Sequence, residues 1–396
     1  MNSNRIKLPY GISNFERMIR ITSETSPNTM LMKLFRAYRK YKIYVIIDEY
    51  DHFANEILAF NFKEFKSFIS KNGFVRKFYE TIKTADGDGI VEYFFGSGVT
   101  PITLDSLTSG FNIAENLTSK KDLNKMFGFT AQEVEQLICL SLLDVSSESV
   151  MKDIKKMYNG YLFSRYADER IYNPDMVLYY LNEFLENNEQ PNELIDTNIS
   201  SDYGKIKKLF ALQEPFRNSQ VLDKLMEFGE TSATLTQEFS FERNFNRDDF
   251  VSLLFYLGIV SINRDNLDAL IFSIPNYVIK SIYRAFFIDF INTEKKLEFD
   301  TYDVKTAIRE LAQKNQIKPF LNLIENALKN LSNQDYKIFD EKHIKALFIG
   351  SASLSNLYFI KSEQEIETNY TDILFLYRPT FFPKYQFIFE FRRNRN

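Results

Sequence analysis

Tryptophan is absent from the 396 residues, cysteine occurs once, histidine occurs twice, and no charge of either sign dominates. Each scarcity excludes something. A single cysteine, Cys139, cannot close an internal disulfide, and its place in the apolar run Leu137-Ile138-Cys139-Leu140 predicts a small core residue. With only His52 and His343 available, a zinc site would draw most of its ligands from carboxylates. A Ser-His-Asp triad would need one of these two, and neither lies near a Gly-x-Ser-x-Gly elbow. A net charge of −4 gives no general pull toward DNA or anionic lipid. No run reaches the roughly 18 apolar residues that cross a bilayer, and Met1 to Lys7 lack the apolar centre of a signal peptide. The expectation is a cytoplasmic protein with no membrane partner. A phosphate-cradling Gly-x-x-x-x-Gly-Lys-Ser/Thr loop is missing as well: Gly204-Lys205 lacks the first glycine and the final hydroxyl, and Gly11 is the one glycine before Ile43.

What is present is ample for cores. Hydrophobic residues make up 44% of the chain, and its length predicts about two or three domains. The 39 Phe and 23 Tyr could furnish stacking surfaces for nucleic acid, or could simply accompany the abundant Ile, Lys and Asn.

Three regions separate by the character of their elements. In residues 1–165, Ile43-Tyr44-Val45-Ile46-Ile47 is a continuous apolar run that predicts a strand buried on both faces, as in a parallel sheet. A helical pattern follows at Phe62, Phe65, Ile69, Val75, Phe78 and Ile82. A second buried strand, Ile90 to Phe95, ends at Gly96-Ser97-Gly98, and two helices cover about 130–143 and 146–158. Residues 166–295 are mainly helical. Asn173-Pro174 is a cap followed by a first-turn proline, and a helix closed by Gly258, a hairpin and a helix opened by Pro275 form a winged-helix-like unit. That unit is read either as a DNA contact through Lys280 and Arg284 or as a plain packing module, since Arg247-Asp248-Asp249 would repel phosphates. Residues 300–396 carry three helices and then strands at Tyr358–Ile366, Asp372–Tyr377 and Gln386–Arg392, an α+β pattern.

Five apolar strand residues ending in Asp48-Glu49 have the form of a Walker B strand, in which the aspartate helps hold Mg²⁺ and the glutamate orients the attacking water. The alternative is a charged strand-to-helix turn in which Asp48 or Asp51 caps the next helix. Ser97 or Thr100, at the end of the neighbouring strand, fits a γ-phosphate sensor; the alternative there is a Gly-Ser-Gly turn that holds no ligand. Without the loop, Asp48 and Glu49 should bind Mg²⁺ weakly, ATP should not be held in the usual manner, and the chain alone should not hydrolyse it.

Four stretches resemble a bacterial family of AAA-ATPase-like proteins with a C-terminal PD-(D/E)XK nuclease-like domain: Leu8 to Phe15, Tyr44 to Asp51, Gly98 to Asn112, and Met157 to Phe163 with Tyr172-Asn173-Pro174. The resemblance covers nearly the whole chain. It implies a P-loop-type sheet made incomplete by loss of the Walker A strand, loop and helix, about 30 residues or more, near Arg20–Ser26. It also implies a C-terminal restriction-endonuclease-like α+β domain in which carboxylates hold Mg²⁺. Asp372 matches the first strand acid, Glu390-Phe391-Arg392 matches the Glu-x-Lys signature, and Glu363 or Glu365 the acid just upstream, with Glu341 on the preceding helix. Arg392 keeps the charge of the family's lysine but cannot exchange a proton, which argues against efficient hydrolysis. The chain ends six residues after Glu390, where the family's domain usually continues, so the resemblance implies a truncated member. The implied role is nucleotide-dependent action on nucleic acid, with DNA as partner; an interaction protein that binds an intact paralogue, and a residual Mg²⁺-dependent nuclease, are the other readings.

Overall fold

The computed structural model describes residues 26–52, 73–101, 113–141, 147–196, 215–237, 239, 245–295, 300–329, 341–366 and 369–391. Among these the chain is a mixed α/β protein with eleven α-helices, one small parallel sheet early and antiparallel sheets later. It divides into two compact units, one of residues 1–116 with 237–245 and the other of residues 117–236 with 246–396.

In the first unit, α1 (Pro27–Ala37) starts at Ser26, whose hydroxyl accepts the Thr29 N–H. Strands β1 (Ile43–Ile47) and β2 (Val91–Gly96) pair in parallel, with α2 (Phe74–Gly87) before β2. Phe35 of α1 and Tyr79, Ile82 and Ala85 of α2 form the buried core, against which Ile43, Val45, Ile47 and Phe94 pack. The expectation that both strands are buried on both faces is corrected here. Tyr44, Ile46 and Tyr93 are 61%, 75% and 63% exposed, on the face opposite that core. A run of β-branched residues specifies extended backbone, but only the packing partners decide whether the second face is covered.

The second unit begins with α3 (Ala131–Ser141) and α4 (Ser147–Tyr158). Helix α3 buries Val134 and Ile138, and Cys139, one position round the helix from that stripe, is exposed rather than a core residue. Strands β3 (Asn159–Tyr161) and β4 (Ile171–Tyr172) pair antiparallel. Gly160 has a positive φ of 122°, and a Cβ there would collide with the Pro275 carbonyl, so this position requires glycine. Asn173 caps α5 (Pro174–Asn187) through the Met176 N–H, as the Asn-Pro pair predicts.

After α6 (Pro215–Phe228) come β5 (Glu230–Ala233), α7 (Arg247–Tyr256), β6 (Ser261–Asn266) and β7 (Ala269–Ser273), the strands in the order β5-β7-β6. Asn246 and Asp249 form a capping box on α7, whose residues 249–256 are all buried. In α8 (Tyr277–Lys295), Arg284 is buried and donates to the Ile360 carbonyl at 3.3 Å. It is a strut within this unit, which corrects its reading as a DNA contact.

Helices α9 (Thr301–Lys314), α10 (Lys318–Lys329) and α11 (Glu341–Ser353) precede β8 (Tyr358–Ile366), β9 (Asn369–Tyr377) and β10 (Phe387–Phe389). These strands form an antiparallel sheet in the order β10-β9-β8. Ile360, Ile373 and Phe375 of the sheet share one core with Val304, Leu311, Phe320, Leu347 and Phe348 of the helices and with Phe287 of α8.

Candidate functional site

Two groups of side chains follow from this framework, one in each unit. At the end of the parallel sheet, the Ser97 N–H donates to the Ile47 carbonyl at 2.9 Å and the Tyr50 N–H to the Ser97 carbonyl at 3.0 Å. These bonds carry the pairing beyond the strand ends and bring Ser97 beside Asp48. Oδ1 of Asp48 accepts the Ser97 hydroxyl at 2.5 Å and the Glu49 N–H at 3.0 Å. Glu49 adopts a left-handed φ of 52°, and its carboxylate is 74% exposed, 3.8 Å from Nδ1 of His52.

Thr100 is placed differently from Ser97. It is buried, and both its N–H and its hydroxyl donate to Oδ2 of Asp51, at 2.5 Å and 3.1 Å. Oδ1 of Asp51 accepts the Val99 N–H at 3.0 Å, and the Tyr50 hydroxyl donates to the Thr100 carbonyl at 2.8 Å. Asp51 is therefore the buried anchor of the Gly96-to-Thr100 turn, while Asp48, Glu49 and Ser97 remain at the surface end of the strands. In the sequence Asp51 is visible as a helix cap only; nothing in its spacing announces a partner forty-nine residues away.

In the second unit, residues on β8, β9 and β10 align in register. Ser362 pairs with Ile373 and Gln364 with Thr371, so position 363 stands opposite Asp372. Phe389 pairs with Ile373 as the last pair of β10, and Glu390 follows just beyond the end of that strand. Positions 363 and 372 thus stand opposite each other on β8 and β9, and the backbone just after β10 reaches Asp372 through the Phe391 N–H. The side chains of Glu363, Glu365 and Glu341, and the whole of Arg392, lie outside the described residues.

Asp372 is held at both oxygens. Oδ1 accepts Nζ of Lys345 at 2.6 Å, and Oδ2 accepts the Phe391 N–H at 2.6 Å. Burial opposes ionisation of Asp372, but the Lys345 hydrogen bond and the Phe391 N–H outweigh it and hold the carboxyl below its ordinary value. The side chains of Lys345 and Asp372 are 20% and 26% exposed, so solvent reaches both. Lys345 belongs to α11, twenty-seven residues before its partner, and sequence reasoning missed it.

The oxygen donors of Asp372 and Glu390 suit a hard divalent cation such as Mg²⁺. Among the described residues no group of three or more His, Cys, Asp or Glu side chains is arranged to hold a metal ion.

Comparison with known families agrees with this division. Residues 10–108 match the AAA-ATPase-like family, described as a predicted AAA-ATPase, and residues 339–396 match the PD-(D/E)XK nuclease superfamily. No curated protein and no solved structure matches the chain. The match at 339–396 takes in α11 and the strands β8, β9 and β10.

Proposed function

We propose that this chain, AAA-ATPase-like in its N-terminal region and PD-(D/E)XK nuclease-like in its C-terminal one, acts on nucleic acid through Asp372 and Glu390. It does so without hydrolysing ATP on its own. The single observation that supports the reading is the hold on Asp372, which stands opposite position 363 and takes Lys345 at one oxygen and the N–H of Phe391, the residue after Glu390, at the other. Asp372 and Glu390 would hold a divalent cation, which when bound supplies stabilisation of charge on the scissile phosphate and its leaving oxygen. The protein's own part is to keep Asp372 ionised and oriented, through Lys345 and the Phe391 N–H.

At the N-terminal end, Asp48, Glu49 and Ser97 constitute the acidic half of a nucleotide site on an incomplete P-loop-type sheet; Thr100 serves the fold through Asp51. We read residues 1–165, 166–295 and 300–396 as the ATPase-like, winged-helix-like and restriction-endonuclease-like regions of a degenerate, cytoplasmic member of this family. The middle region is a packing module, because α7 is buried and Arg284 is spent on the Ile360 carbonyl. Among the described residues no helix is long and apolar enough to cross a membrane.

The test is cleavage of plasmid and linear DNA with Mg²⁺ or Mn²⁺. Nicking or cutting that falls to background in Asp372→Asn and in Glu390→Gln supports the assignment. Absence of cleavage by the unaltered protein with either metal rejects it.

A second reading rests on the exposed sheet face of Tyr44, Ile46 and Tyr93. A chain with the acidic half of a nucleotide site and no phosphate loop is suited to docking, by that face, on an intact AAA-ATPase-like paralogue. Co-elution of the two purified proteins, abolished by Ile46→Asp, supports it; co-elution unaffected by that change does not.

A further inference from the structure

In the second unit the end of α5 and the first turns of α4 meet the turn Pro379–Phe381 that follows β9, and a cavity of about 350 Å³ lies between them. That volume falls in the range of about 300–1,000 Å³ usual for small-molecule sites. We propose that the cavity binds a small organic cation, an alkylguanidinium, through Asp153, Gln190 and Thr380 and by stacking on Phe382. Binding here depends on neither the nuclease nor the nucleotide chemistry assigned to the rest of the chain.

Three hydrogen-bond acceptors belong to residues that line this cavity. Oδ2 of Asp153 accepts the Gln190 amide N–H and the Tyr180 hydroxyl, the latter at 3.5 Å, while Oδ1 takes no hydrogen bond among the described residues. Oε1 of Gln190 and Oγ1 of Thr380 are buried and have no partner among the described residues. A buried acceptor left unpaired is costly, and a ligand that brings an N–H to it offsets that cost.

Charge selects among the possible donors. Asp153 and Glu189 line the cavity, and among the described residues no Lys, Arg or His does. Lys156 lies one turn along α4 from Asp153, but its Nζ sits 3.3 Å from the centre of the Phe359 ring. Burial raises the Asp153 carboxyl above its ordinary value, against the Gln190 and Tyr180 hydrogen bonds and the charges of Lys156 and Lys152. A cation at Oδ1 offsets that loss of solvation.

The aromatic residues select a plane. Phe184 is buried, and its ring gives the alkyl chain an apolar wall. Phe382 is 71% exposed and adopts a left-handed φ of 46°. Such a backbone is strained for a bulky side chain, and at this exposure burial does not offset the strain. A cation laid on the ring does. A guanidinium is planar and always charged, stacks on aromatic faces, and spreads five N–H donors in its plane toward the separate acceptors. An ammonium is more strongly hydrated and gathers its three donors on one nitrogen.

Isothermal titration calorimetry of the full chain with butylguanidine tests this, with butylamine and butylurea as comparators that keep the charge or the plane alone. Butylguanidine is expected to bind, and each comparator to bind about tenfold more weakly or not at all. Asp153→Asn should weaken butylguanidine about tenfold or more. Phe382→Ala should weaken it about two- to fivefold, with the circular dichroism of the parent. No binding at millimolar butylguanidine overturns the proposal, and so does unchanged affinity in Asp153→Asn. Butylamine or butylurea binding as tightly as butylguanidine overturns the choice of a guanidinium. N-acetylarginine amide binding more tightly than butylguanidine moves the site to an arginine of a partner chain and overturns the small-molecule assignment. Should Asp153→Asn fail to fold, Phe382→Ala decides, because its position is exposed: unchanged affinity there overturns the site.

Discussion

The Asp51 carboxylate takes two hydrogen bonds from Thr100, one from its N–H and one from its hydroxyl, and spends its other oxygen on the Val99 N–H. This buried clamp, rather than the surface pair Asp48–Ser97, ties the two parallel strands at the end where a nucleotide site would lie. Hydrogen bonds to an ionised acceptor contribute about 1.5–3 kcal/mol, and removing the acceptor strands buried donors. Asp51→Ala is expected to cost about 3 kcal/mol, while Asp48→Ala, at an exposed position, costs roughly 0.5 kcal/mol or less. Gly98→Ala should resemble Asp51→Ala in direction, since a Cβ there would collide with Asp51 Oδ1. Hydrogen exchange read peptide by peptide checks this: protection over residues 91–100 should fall in Asp51→Ala and Gly98→Ala and hold in Asp48→Ala.

A ligand that binds only the native state raises stability, by about 2.7 kcal/mol at a hundredfold excess over its Kd. With Asp48, Glu49 and Ser97 present but no phosphate-binding loop in the sequence, millimolar Mg-ATP is expected to leave the melting temperature unchanged. A rise with Mg-ATP that vanishes in Asp48→Asn would show that the acidic half binds nucleotide by itself.

Much of this architecture is legible in local sequence, and the reasons are local. Asn173-Pro174 announces its helix because a capping amide and a fixed φ act within one turn. The span of β8 is the one read from the sequence, Tyr358–Ile366, whereas the acids at 372 and 390 are singled out only by the family resemblance. What escapes is decided by tertiary contact. Strand β5, with the sequence Glu-Thr-Ser-Ala, has no apolar alternation and exists because β7 supplies its hydrogen bonds. Lys345 looks like any helix lysine until the packing of Phe348 aims it at Asp372. The outer face of β1 carries apolar residues whose cover no periodicity can reveal.

Arg378 shows the same limit and yields a prediction. It is fully buried, and it donates to the carbonyls of Asn192 at 3.2 Å, Asn356 at 3.1 Å and Pro191 at 2.8 Å. The fork of a guanidinium suits three divergent carbonyls, which a lysine ammonium on a shorter stem does not. Arg378→Ala is expected to destabilise the second unit by about 3 kcal/mol or more, and Arg378→Lys to recover only part of that. Urea denaturation followed by circular dichroism measures both. A lysine variant as stable as the parent would show that charge, not the fork, is what the site requires.

The last prediction concerns pH. Nζ of Lys156 lies 3.3 Å from the centre of the Phe359 ring and 5.7 Å from that of Tyr277. Burial, the largest influence, lowers its pKa from 10.5 to about 8; Asp153 opposes this, while Lys361, Arg378 and Lys152 reinforce it. A native-state value below the unfolded one means that, between the two, the unfolded chain binds a proton that the native chain does not. Stability from this group therefore rises with pH in that window, and the destabilisation is fully present below about 8. Lys156→Met keeps the stem over the ring and removes the charge. It should be more stable than the parent at neutral pH, with the difference shrinking as pH climbs from about 8 toward 10.5. Melting temperatures of the two proteins across that range decide the matter. A variant less stable than the parent at neutral pH, with a constant gap at higher pH, would mean that the ring's attraction for the ammonium outweighs its desolvation.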